Sequence, residues 1–218
     1  MDLNSEILNR TQEVQQFALN AAAAKRNDEQ KKIDQNFSDV IKMVAALVEH
    51  IISATKKTSF RCSEELSASV KELLQNSRNL TTSGAVRGDQ VFGIKKTLNE
   101  INEEASSQWS EYYADETKSV EELLSLARNI AGSDVGSLLM DIRSAKDWKT
   151  NDACLDKMTL GLKNAKSLIT KLDLQENIVQ FLKKMMNQEA TLADLDEEVM
   201  EWITREGIKS KIKIGFTR

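Results

Sequence analysis

The stretch GDQVFGIKKT, residues 88–97, comes close to spelling a phosphate-binding loop. Such a loop needs two glycines separated by four residues, then lysine, then serine or threonine. Backbone N–H groups and the ammonium can then wrap the phosphates. Gly88 and Gly93 have the spacing, but Ile94 stands at the lysine position and Lys96 arrives two places late, before Thr97. No apolar strand precedes it, since SRNLTTSGAV follows a helical pattern. The stretch therefore reads as an inter-helix loop.

Other reactive side chains are equally isolated. His50 is the single histidine, flanked by Val48 and Ile51, with no carboxylate or thiol at ligand spacing, so neither a metal site nor a hydrolytic triad is expected from it. Cys62 and Cys154 stand far apart without a CxxC pattern and read as free thiols of a reducing cytoplasm. Glu103–Glu104 and Glu197–Glu198 occupy adjacent positions around a helix, as a solvated face does, and not the opposed positions of an acid–base pair. Lys163 and Lys166 share a face that could touch phosphate, although a charged outer face is the favoured reading of them. No catalytic residue, metal or cofactor is expected, and the chain reads as a non-enzyme.

Composition points to elongated helices. Proline is absent from the 218 residues and glycine occurs eight times, where ordinary usage gives about ten and fifteen. Both residues break helices. Aromatic residues make up only 5%, lean for a compact enzyme and usual for coiled coils. The net charge is −4 and the stretch 84–136 is distinctly acidic, so nucleic acid is not expected as a partner. The most apolar run, MVAALVEHII (43–52), is short and carries Glu49 and His50, which argues against a membrane span. MDLNSEILNR lacks a basic n-region ahead of an apolar run, so a cytoplasmic location is expected.

Apolar positions then mark the elements. Ile33, Phe37, Val40, Val44, Leu47 and Ile51 step by four and three, and the phase continues more weakly through Cys62, Leu66, Val70, Leu73 and Leu80. Either one helix spans about 30–80, or Ser63 caps a new helix after a break near Thr58. Upstream, Leu3, Ile7, Val14, Phe17, Ala21 and Ala24 form a seam whose register slips across KRNDEQKK. Four segments follow: 1–83 as a long helical or coiled-coil region, 84–93 as a glycine-rich loop, 94–190 as a bundle, and 191–218 as a capped helix plus strand. In the last, Thr191 and Asp194 form a variant capping box, Leu192, Leu195, Val199, Trp202 and Ile203 make the apolar face, and Gly207 ends the helix. IKSKIKIGFTR then alternates Ile208, Ile212, Ile214 and Phe216 against Lys209, Lys211 and Lys213, the period of a half-buried strand.

The pattern T-L-x-D-L, then E-V-x-E-W, a glycine and a basic–apolar strand, in residues 191–216, resembles the C-terminal end of the large P-loop ATPases of BREX-type bacterial phage-defence systems. That resemblance implies a C-terminal helical portion supplying assembly contacts in an antiviral defence complex. The family's nucleotide motifs have no counterpart here, so no ATP-binding residue carries over.

The expected fold is all-α: long antiparallel helices in a coiled coil or thin three- to four-helix bundle, with a small C-terminal helix–strand unit. The expected function is protein–protein interaction and scaffolding, with a nucleic-acid-associated coiled coil as the alternative. Trp202, Ile208, Ile212, Ile214 and Phe216 are the expected partner-binding residues. The strand would add to the sheet edge of a protein partner, pair with its own copy in a homo-oligomer, or meet residues 84–92.

Overall fold

The computed structural model describes the backbone of residues 3–83, 86–131 and 134–212, and the side chains of 25–83, 86–128, 135–210 and 212. Among these residues it is all-helical, with no strand. Seven α-helices follow in order: α1 (Leu3–Lys57), α2 (Glu64–Thr82), α3 (Gly88–Ala131), α4 (Asp134–Arg143), α5 (Asp152–Lys171), α6 (Glu176–Met186) and α7 (Glu197–Arg205). Short 3-10 turns occupy Ser144–Asp147, Leu192–Asp194 and Lys209–Lys211. The chain divides into two compact units, 1–49 with 63–104 and 50–62 with 105–218. Both α1 and α3 contribute residues to each.

In the first unit the sequence seam is the buried face. Val40, Val44 and Leu47 of α1, Leu66 and Leu73 of α2, and Ile94, Leu98 and Ile101 of α3 are all buried. The register slip across KRNDEQKK does not start a new helix, because α1 runs through it. Gln30 Nε2 donates to the Val86 carbonyl at 3.0 Å. The glycine-rich loop is shorter than residues 84–93 suggest. Gly88 opens α3, Gly93 lies within it, and Gln90 reaches back to accept the Arg87 N–H at 3.0 Å. The Arg87 carbonyl in turn accepts the Gln90 N–H at 3.1 Å, so the first turn closes despite the glycines' weak helix propensity.

The second unit contains the break that divides α1 from α2. Thr58 ends α1 by donating its hydroxyl to the Ala54 carbonyl at 2.7 Å, and it accepts the Phe60 N–H at 3.1 Å. A continuous helix over 30–80 is thus replaced by the alternative. Ser63 caps α2, accepting the Leu66 N–H at 3.1 Å. The physical reason is Phe60, which lies outside the seam yet is only 1% exposed. It meets Trp109 edge-on at 5.4 Å, and Trp109 stacks on Trp148 at 5.4 Å and 25°. Burying such a side chain is worth roughly 2–3 kcal/mol, and the residues that leave the helix, Thr58, Ser59 and Ser63 among them, are weak helix formers.

Two features shape the rest of this unit. Gly161 lets α5 approach α4 closely, since an added Cβ would lie 3.2 Å from Ile142 Cγ1 and 3.3 Å from Asp141 Cβ. Farther on, Leu126, Ile178, Phe181, Leu182, Val199, Trp202, Ile203 and Ile208 form one buried cluster.

The C-terminal module departs from expectation twice. Thr191 and Asp194 do form a reciprocal capping box, but it closes only a 3-10 turn. Asp196 then caps α7 afresh, accepting the Val199 N–H at 2.8 Å. At the other end Gly207 takes φ +66, as a C′ glycine should. Gly207 N–H donates to the Thr204 carbonyl and Ile208 N–H to the Ile203 carbonyl, each at 3.2 Å. This is the Schellman pattern, whose signature is an apolar contact made by the second residue after the helix cap. That residue is Ile208, and it is drawn into the cluster. The expected strand start is therefore a 3-10 turn. Ile208 and Ile212 are four residues apart, two repeats of a period-2 pattern but also about one helical turn, so both can face inward without a strand. Residues 213–218, with Ile214 and Phe216, lie outside the described residues.

Candidate functional site

The residues expected to bind a partner are turned inward where the structure describes them. Trp202 is 1% exposed and its Nε1–H donates to the Leu172 carbonyl at 2.8 Å. Ile208 shares its cluster, and Ile212 packs partly buried against it. These three serve the core of the second unit.

The remaining sequence candidates do not assemble into a site. His50 lies edge-on to Trp148 at 6.3 Å. Among the described residues no three His, Cys, Asp or Glu side chains are placed to hold a metal. Cys62 and Cys154 are free, and burial pushes both thiols up, away from the reactive thiolate. Gly88 and Gly93 are helical, so they cannot curl around a phosphate. Glu103, Glu104, Glu197, Glu198, Lys163 and Lys166 are exposed.

A groove of about 840 Å³ in the second unit brings together residues that the sequence does not mark as a site. α3 supplies Tyr113, Lys118, Glu121, Glu122, Ser125 and Leu126; the end of α4 and the following turn supply Arg143 and Lys146; α6 supplies Lys183 and Met186. Leu126 is buried at its floor, whereas Met186 is 57% exposed. One wall is fixed by Glu121. Its Oε1 accepts the Tyr113 hydroxyl at 3.0 Å and its Oε2 accepts Arg143 Nε at 2.8 Å. The Tyr113 phenol is pushed up to about 12, first by burial and then by the Glu121 carboxylate that it faces. At neutral pH this tyrosine holds its proton.

The charge in the groove is uneven. Lys118, Arg143, Lys146 and Lys183 face two carboxylates, Glu121 and Glu122, and Glu121 is already engaged. Among the described residues, none of the three lysines forms an ion pair. An apolar floor under uncompensated cations can hold an anionic ligand with an apolar face. In the sequence these groove residues carry no shared signal beyond the helical spacing that puts Glu121 and Ser125 four apart on α3. Lys146 and Lys183 join them only through tertiary packing. No family model, no curated protein and no solved structure matches the chain.

Proposed function

We propose that this chain is a non-catalytic helical interaction module and that the groove between α3, α4 and α6 is its recognition surface. The observation that carries the reading is the excess of unpaired cations around the Leu126–Met186 floor. A binding role is favoured over catalysis because the titrating geometry is already spent. Tyr113 is held protonated far above neutral pH, and Glu121 is engaged at both oxygens by Tyr113 and Arg143. An acid–base catalyst instead needs a group poised near the working pH and free to reach substrate. The likeness of residues 191–216 to the ends of BREX-type ATPases extends the proposal, in that the partner would belong to a phage-defence assembly.

Selection from an unbiased displayed-peptide library tests the reading. Wild-type chain and a Lys118→Glu, Lys146→Glu, Lys183→Glu variant serve as parallel baits. The expected result is acid-rich binders retained by the first and lost by the second. A library that yields only binders indifferent to the three substitutions would remove the groove as the recognition surface.

A further inference from the structure

We infer that the occupant of the groove is an acidic amphipathic α-helix of about three turns from a partner protein. The inference rests on the groove being a recognition surface and adds what it recognises. Three observations lead to it.

The first is length. The α3 residues that line the groove run from Tyr113 to Leu126, which at 1.5 Å per residue is about 20 Å. A three- to four-turn helix has that length, whereas a single small anion would leave most of the groove unfilled.

The second is backbone chemistry. All three walls are helices, and no strand exists among the described residues. Even at the ends of α4 and α6, where the last carbonyls lack intrahelical partners, helices and a 3-10 turn present no row of alternating donors and acceptors, so the groove offers no ladder to an extended peptide. A peptide lying on Leu126 and Met186 in extended form would have backbone groups pressed against apolar surface without partners. A helix satisfies its own backbone and can bury a side-chain stripe there, as in other helix-in-groove recognition.

The third is charge. Each wall contributes a cation: Lys118 from α3, Arg143 and Lys146 from the end of α4 and its turn, and Lys183 from α6. A helix with apolar residues at i, i+3 or i+4, and i+7, and with Glu or Asp on both flanks, would place carboxylates toward all of them. Arg143 spends Nε on Glu121, and its planar guanidinium retains donors for a partner carboxylate. Met186, unbranched and half-exposed, can adapt to whichever apolar side chain arrives.

The experiment uses full-length chain and fluorescent peptides of about twelve residues. One carries Leu on a helical stripe with Glu on its flanks. A second has the same composition with the stripe scattered, and a third has the stripe broken by a central proline. The first should bind best, at least about tenfold tighter than the other two, with affinity falling as salt rises. A Lys146→Glu, Lys183→Glu variant should weaken it by about tenfold or more. Both lysines are exposed, and circular dichroism of the variant controls for folding. Equal binding of all three peptides, with loss in the variant, would overturn the helix while leaving the groove as a binding surface. Self-association of the chain alone that the variant abolishes would overturn the partner helix in favour of a second copy. No binding and no self-association would overturn both the inference and the reading beneath it.

Discussion

Asp194 holds its carboxyl at about 2, because Lys184 donates to it and the backbone and hydroxyl of Thr191 bond it as well. Unfolded, the same group titrates near 3.8. The folded chain therefore binds this proton more weakly than the unfolded one. The stabilisation is complete above pH 3.8 and is lost as pH falls through about 2. Asp194→Asn should flatten the acid limb of the stability curve in that window, and urea midpoints taken at steps between pH 2 and 5 will check it. Identical acid limbs for the two proteins would mean that the cap is not formed in solution. Tyr113 has the opposite sign: its phenol is raised to about 12, so its contribution is present below the usual tyrosine range and lost as pH climbs through 12.

Between helices, the contact at Gly161 decides the sign of a substitution. Helix propensity alone would credit Gly161→Ala with about 1 kcal/mol. The new methyl would instead crowd Ile142 Cγ1 at 3.2 Å and Asp141 Cβ at 3.3 Å. The Cβ is fixed by the α4 backbone and Ile142 is fully buried, so neither has room to swing aside. Overpacking of this kind costs about 1–3 kcal/mol, so a net loss of about 1 kcal/mol is expected in chemical denaturation. Gly136→Ala in α4, with nothing within 4 Å of the added carbon, should be neutral or stabilising by a few tenths of a kcal/mol. Should both variants gain, the close approach of α4 and α5 would be wrong. At this scale the sequence was legible wherever one local rule acted alone. Ser63 could be read as a cap, the alternating seam as α1's buried face, and Gly207 as a helix stop. It was misleading where tertiary burial outvoted the local pattern, as at Phe60, or where two periods coincide, as at Ile208 and Ile212. Gly88 shows the converse, a loop signal overridden by a cap from Gln90.

At the scale of the whole molecule, Trp202, Ile208 and Ile212 change role from expected contact surface to part of the core. A chain ending at Gly207 loses Ile208, which is 3% exposed and packs in the cluster of Trp202 and Ile203. It also loses the Schellman bond from Ile208 N–H. Truncation there should lower stability by about 2–4 kcal/mol, seen as an earlier urea midpoint. An unchanged midpoint would return Ile208 to the surface. The all-helical class was legible in the lack of proline and the long seams. The groove was not, since Lys118, Arg143, Lys146 and Lys183 are ordinary surface residues until three helices set them around Leu126.

The distribution of rings has a practical corollary. Trp109, Trp148, Trp202, Tyr112 and Tyr113 are all the tryptophans and tyrosines of the chain, and every one belongs to the unit of residues 50–62 and 105–218. Tryptophan emission, excited beyond the phenylalanine absorption band, is therefore a private reporter of that unit and is blind to the other, whose rings are phenylalanines alone. The amide band of circular dichroism sees both, so following one melt with both signals compares a single unit with the entire chain and tests whether the transition is all-or-none. The Trp109–Trp148 stack adds an optical marker of its own, because parallel indoles so close mix their excited states, and that signature vanishes once the pair separates.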